Sequence, residues 1–289
     1  MIQELFPTLS EFYACAPGVD SAATFAQLNS SGNSAQKQIE NIITPAVYAL
    51  IAPTGSDQTL RHYLQMAVAN LTMAKESVFD TMRKRKAGID VYKHEQESIR
   101  RAYYDNYYNA MDSLLQSLTE KDIALWLAAP YCLAIAKLKI KTTDAFDTIY
   151  PIDGSYLFFY RSIPFQKEII LTILADYYTT VEALTDADKK ASLLAKLDHA
   201  LAKMTVAKAL TRFDPMELPL TIRNLVEDTT AARQSTSEQS RIIEMAAELL
   251  REGNDLVSSV EISVMESTVT DVESQINYNL PEDKIYVIS

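Results

Sequence analysis

Two nine-residue stretches constrain this chain more than any other feature. "AVANLTMAK" occupies Ala67–Lys75 and "ALAKMTVAK" occupies Ala200–Lys208. Ala, Ala, Thr, Ala and Lys stand at the same places in both, and all but one of the remaining positions exchange one apolar residue for another. Such a pattern belongs to a helix. Small Ala side chains let helix axes approach closely, and the Thr hydroxyl can bond back to a carbonyl one turn earlier. The closing Lys, a little over two turns on, sits at the edge of the apolar stripe, where its stem covers apolar surface and its charge stays wet.

Those stretches are 133 residues apart, and a register one residue longer recurs elsewhere. Phe12 and Phe146, Pro17 and Pro151, Ser21 and Ser155, and Phe25 and Phe159 are each 134 residues apart, as are "VFDTM" (Val78–Met82) and "RFDPM" (Arg212–Met216). Glu95-Gln96 faces Glu238-Gln239 at 143, which predicts a longer loop in the second half. One register holding over several separate places predicts an internal duplication. The copies fall at 1–125 and 126–265, each with an irregular N-terminal arm followed by helices.

Helical spacing of apolar residues supplies the rest. Stripes run through Gln36–Ile51 and Gln166–Thr180. In the helices carrying the repeat they comprise Leu60, Leu64, Ala67, Leu71, Ala74 and Val78, then Leu193, Leu197, Ala200, Met204 and Ala207. Final helices are predicted at His94–Leu118, with Ile99, Tyr103, Tyr107 and Met111 on one face, and at Ser237–Ser259, weakened near its end by Gly253. Pro45 predicts a kink or a late start in the first of these helices. Only 6 of the 289 residues are Gly, which disfavours turn-rich sandwiches and barrels. The expected fold is mainly α, with two duplicated helical modules and an extended tail at 266–289. That tail has no copy in the first half and ends in the β-prone "KIYVIS".

Charge and motifs narrow the function. A net charge of −11 does not suit a protein that grips nucleic acid with its whole surface. The longest apolar run, Ile123–Ala136, is too short to span a bilayer and contains Pro130, so no membrane partner is expected. The N-terminus lacks the pattern of a secretory signal. Cys15 and Cys132 form no paired framework.

No catalytic, cofactor-binding or metal-binding set is expected. His62, His94 and His199 lack ligand spacing, and no P-loop, GxGxxG or GxSxG is present. Asp144, Asp147 and Asp153 have the wrong spacing for a calcium loop.

Interface candidates remain. Tyr104 and Tyr108 in "YYDNYY" are read as amphipathic surface suited to a protein–protein contact. Arg83, Lys84, Arg85 and Lys86 form a basic cluster absent from the second copy, and "KLKIK" (Lys137–Lys141) forms another. Lys284, Ile285, Tyr286, Val287 and Ile288 of the tail could add a strand to a neighbour.

The stretch "KAGIDVYKHEQESIRRAYYDNYYNAMDSLLQSL" (Lys86–Leu118), together with "FDTIYPIDGSYLFF" and "ALAKMTVAKAL", resembles an uncharacterised phage and prophage family encoded among head-assembly genes and related to head–tail connector proteins. The resemblance covers most of residues 36–225. It implies a virion structural protein, assembled in the bacterial host cytoplasm: an adaptor forming a homo-oligomeric ring beneath the portal. Its partners would be portal and tail proteins, with DNA passing through and not specifically bound. The present chain is longer and duplicated. The alternative is a soluble helical scaffold or interaction protein without catalytic activity. An enzyme with a helical active site is the least favoured reading.

Overall fold

A computed structural model describes residues 2–18, 24–86, 92–226 and 235–273. Every regular element among them is helical. In chain order the helices are α1 (Ile2–Leu5), α2 (Leu9–Cys15), α3 (Phe25–Ile43), α4 (Pro45–Ile51), α5 (Gln58–Lys86), α6 (Lys93–Glu120), α7 (Ala124–Leu127), α8 (Pro130–Ile135), α9 (Thr143–Ile149), α10 (Tyr156–Ile169), α11 (Ala175–Glu182), α12 (Ala187–Arg212), α13 (Leu220–Val226) and α14 (Ser235–Glu273). A π-helical turn, Ile170–Leu174, joins α10 to α11, and a 3-10 turn, Pro215–Glu217, precedes α13. No described helix is long and apolar enough to cross a membrane.

The chain forms two compact units. The first comprises Met1–Pro164 and Arg212–Gln239, the second Phe165–Thr211 and the described part of Ser240–Ser289. This division differs from the boundary near residue 125 that the repeat suggests. The reason lies in long-range contacts: the segment from α7 to α10 is bonded to α6, so it belongs with the first unit. Trp126 donates its indole N–H to the Thr119 hydroxyl at 3.1 Å, and that hydroxyl lies 3.0 Å from the Tyr160 hydroxyl. The Trp126 and Tyr160 rings meet edge to face at 5.0 Å.

In the first unit, α5 and α6 form a long hairpin and α3 packs on α5. Leu60, Leu64, Ala67, Leu71 and Ala74 are buried, as are Tyr103, Tyr107, Met111, Leu114 and Leu118. On this hairpin Val78 and Ile99, expected on the stripes, are exposed, both at the same end; Leu50 and Ile173, expected on the stripes of Gln36–Ile51 and Gln166–Thr180, are exposed as well. Polar groups fix the short N-terminal helices to α5. Arg61 and Gln65 both donate to the Leu5 carbonyl, at 2.7 and 3.0 Å, and Asn70 donates to the Cys15 carbonyl at 2.9 Å.

The stretches expected to be irregular arms hold short helices instead. Thr8 caps α2 by accepting the Glu11 N–H, and Thr142 caps α9 by accepting the Ala145 N–H. An N-cap of this kind satisfies one of the donors a helix start leaves orphaned. The expected helix over Gln36–Ile51 is also corrected. α3 starts at Phe25 and stops at Thr44, whose φ of 77° breaks the helix. Pro45 then opens α4, where its missing N–H costs nothing.

In the second unit, Leu193, Leu197, Ala200, Met204 and Ala207 are buried along α12, as their helical spacing predicts. Thr72 and Thr205, both buried, donate to carbonyls four residues earlier, at 2.6 Å to Val68 and 2.7 Å to Leu201. Lys208 pairs with Glu168 at 2.7 Å. Gly253 lies within α14, and the helix continues through it. A Cβ there would stand 2.8 Å from Met204 Cγ and 3.4 Å from the Ala200 carbonyl oxygen, so the glycine permits a close approach of α14 to α12. Lys203 with Glu252, and Lys196 with Ser259 at 2.9 Å, tie the same two helices.

The expected helix end at Ser259 and tail start at 266 are corrected as well. α14 continues to Glu273, so residues 266–273 are helical. Val257 and Val260 are buried beyond Gly253, and this packing carries the helix past its glycine. Lys284, Ile285, Tyr286, Val287 and Ile288 lie outside the described residues.

Candidate functional site

A cavity of about 490 Å³ opens beside the middle of α6. One wall is the α6 ladder of Asp105, Tyr108, Asn109 and Asp112; the other is built by Met216–Leu220 and Arg223. A smaller hollow of about 180 Å³ continues along α6 past Tyr104 and Arg100. Tyr108, Met216 and Glu217 line both.

Spacings of three and four residues put these side chains on one face of α6. The opposite wall is held by polar contacts. Arg223 donates to Asp105 at 2.9 Å, and Thr221 donates its backbone N–H to Asp153 at 2.7 Å. Arg161 pairs with Glu217 and lies over the Phe213 ring at 4.9 Å.

Tyr104 and Tyr108 therefore do not stand out from the surface as free anchors. They are half-buried, their rings are stacked at 6.2 Å, and both line the hollow beneath the 214–217 segment. The Arg100 guanidinium lies over the Tyr104 ring at 5.5 Å. The Nε atoms of Arg100 and Arg223 are buried without a hydrogen-bond partner among the described residues.

Asp112 carries the most perturbed carboxyl of the cavity. Burial pushes it up to about 6, against the pull of hydrogen bonds from the Leu157 N–H, the Ser155 hydroxyl and the Tyr156 N–H. Its oxygens are occupied in holding the start of α10: 2.7 Å from the Leu157 N–H and 3.0 Å from the Ser155 hydroxyl. Burial keeps the Tyr108 phenol protonated. It also raises both thiols, Cys132 to about 11, so neither is a ready nucleophile. No group of three or more His, Cys, Asp or Glu among the described residues is placed to hold a metal ion.

The basic cluster lies at the far end of the α5–α6 hairpin from Lys121 and Asp57, which pair at 2.5 Å. Arg83 is half exposed. It pairs with the buried Glu76 at 2.8 Å, and Glu76 also accepts from Ser31 at 2.5 Å. Arg85 and Lys86 are exposed; the side chain of Lys84 is outside the described residues. Around them stand the exposed apolar residues Phe79, Met82 and Tyr92. Sequence periodicity missed this grouping because it assigned Val78 and Ile99 to the core. The signal that could have found it is the basic run directly after "VFDTM", which no buried stripe would adjoin. In "KLKIK", Leu138 and Ile140 are buried and the alternating lysines are exposed. No protein-family model, no curated protein and no solved structure matches this chain.

Proposed function

We propose that this chain is a structural virion protein, a head–tail adaptor that assembles as a homo-oligomeric ring beneath a phage portal. The observation that carries the reading is the end of the α5–α6 hairpin. There Val78, Phe79, Met82, Tyr92 and Ile99 are exposed together beside a basic cluster. Exposed apolar groups of this kind mark contact surfaces. An acidic body lets DNA pass without adhering. Portal and tail proteins are the further partners that the sequence resemblance implies.

The reading includes an internal duplication of the helical module. Its support is the 134-residue step between the caps Thr8 and Thr142, the equal lengths of α2 and α9, and the parallel back-bonds of Thr72 and Thr205. Purified protein examined by mass photometry and electron microscopy should show rings of one defined mass. A chain that stays monomeric at tens of micromolar, encoded away from portal and terminase genes, would instead favour a soluble helical scaffold.

A further inference from the structure

The chain visits its first unit twice. Met1–Pro164 build most of that unit, and after the second unit has begun the chain returns at Arg212. Residues 212–226 then lie as a strap against α6. Leu218 and Ile222 are its buried apolar anchors. Its polar links run to residues before 165: Arg223 to Asp105 at 2.9 Å, the Thr221 N–H to Asp153 at 2.7 Å, and Glu217 to Arg161. The Phe213 ring meets Phe158 edge to face at 6.0 Å. Between the strap and α6 remain the cavity of about 490 Å³ and the hollow of about 180 Å³. An element seated on a few anchors over unfilled space lifts more easily than one packed at core density.

One peptide bond, from Pro164 to Phe165, joins the strap's part of the chain to the helices that the strap covers. The helix around that bond is irregular. Pro164 stands inside α10, where it has no N–H for the Tyr160 carbonyl and its ring bends the helix. Gln166 is fully buried, and neither its amide nitrogen nor its amide oxygen has a hydrogen-bond partner among the described residues. Bonds left unmade by a buried amide cost stability. The π-helical turn Ile170–Leu174 follows, a break in register of the kind found at functional places in helices. All three irregularities collect where the chain passes from one unit to the other.

We infer that the crossing at Pro164 is a hinge, and that in the assembly the strap of one copy seats on α6 of a second copy. The seat needs no new complementarity. Leu218, Ile222, Thr221 and Arg223 meet in the neighbour the same groups that they meet in their own chain. Exchange of an identical element is therefore a low-cost route to an oligomer. The exchange has a direction: each copy gives its strap to one neighbour and takes a strap from another. Head-to-tail contacts of this kind close into a ring when the rotation between copies closes. The inference rests on the assembly reading above and names how the copies are joined.

A charge exchange across the strap tests this on the full-length chain. Asp105→Arg, and in a separate chain Arg223→Asp, each set like charges against each other where the strap sits. Either variant alone should weaken self-association at least tenfold by mass photometry, with helical circular dichroism retained. Coexpressed, the two should assemble as the wild type does, because each strap then meets the opposite charge on the other variant's α6. A strap that stays on its own α6 carries its mismatch with it, so a mixture no better than the single variants overturns the inference. So do single variants that assemble like the wild type. Asp153→Cys with Thr221→Cys in one chain, oxidised, gives a second reading that needs no loss of assembly. An exchanged strap yields a ladder of covalent multimers on a non-reducing gel, absent when either substitution is made alone. A monomer band alone leaves the strap on its own chain and overturns the inference, while the ring reading stands if the wild type assembles. If the wild type is monomeric at every concentration tested, the ring reading falls together with the exchange.

Discussion

Asp112, in the middle of α6, accepts the backbone N–H of Leu157 at 2.7 Å and so caps the first turn of α10 from another helix. The same carboxylate takes the Ser155 hydroxyl at 3.0 Å. A negative charge at a helix start is favourable, yet burial there works against ionisation, and burial wins: the carboxyl rises from 3.8 to about 6.

That balance makes stability depend on pH in a defined window. The folded chain holds the Asp112 proton more tightly than the unfolded chain does. The stabilisation is therefore fully present below about pH 4 and is lost as pH rises through 6. A rise of this size corresponds to something on the order of 2–3 kcal/mol. Asp112→Asn keeps an acceptor and carries no titrating proton. Urea unfolding between pH 4 and 7 should show a flatter profile for this variant; an unchanged slope would mean that Asp112 is not the group responsible.

Glu76 is buried, and Ser31 and Arg83 compensate its charge. Arg83→Ala leaves the carboxylate with the Ser31 hydroxyl alone. The expected loss is about 1–2 kcal/mol, toward the low end because the Arg83 side chain is half exposed. Glu76→Gln in the Arg83→Ala background should recover part of it, measured as the midpoint of denaturant unfolding. Equal stabilities for the single and double variants would rule out an uncompensated charge as the cause.

Gly253 sets helix propensity against packing. Replacing a helical Gly by Ala gains about 1 kcal/mol from propensity alone, but the new Cβ would stand 2.8 Å from Met204 Cγ. Overpacking costs about 1–3 kcal/mol, so Gly253→Ala should destabilise the wild type slightly. In a Met204→Ala background the obstacle is gone and the same change should stabilise. A thermal-unfolding double-mutant cycle reads the reversal of sign directly.

Both thiols are half-buried and pushed up by desolvation, Cys132 to about 11. At pH 8 they should react with a disulfide reagent at least tenfold more slowly than a free thiol, and at the ordinary rate in denaturant. Fast reaction of either thiol in the native protein would contradict the burial described for it.

The sequence was legible where a structure repeats locally. Ala67, Leu71, Ala200 and Met204 are buried as their spacing requires, because helical periodicity records which face packs. What it could not record are contacts between distant residues. Nothing near Ser155 announces Asp112, and nothing near Trp126 announces Tyr160, yet these pairs assign the segment after residue 125 to the first unit. Gly253 reads as a weakness by propensity, and only Met204 across from it shows the glycine to be a fit. Tyr104 and Tyr108 lie in a hollow because the 214–217 segment covers them, over a hundred residues further along the chain.

The interleaved chain path limits how the molecule can be taken apart genetically. Residues of the first unit resume at Arg212 after those of the second have begun, and the chain changes unit inside α10, α12 and α14. A gene truncated after residue 164 would omit Thr221, which binds Asp153, and Glu217, which binds Arg161. No single stop codon or new start codon yields either unit on its own. Deletion mapping with cuts between residues 164 and 240 would mix loss of a contact with loss of folding, and point substitution separates the two.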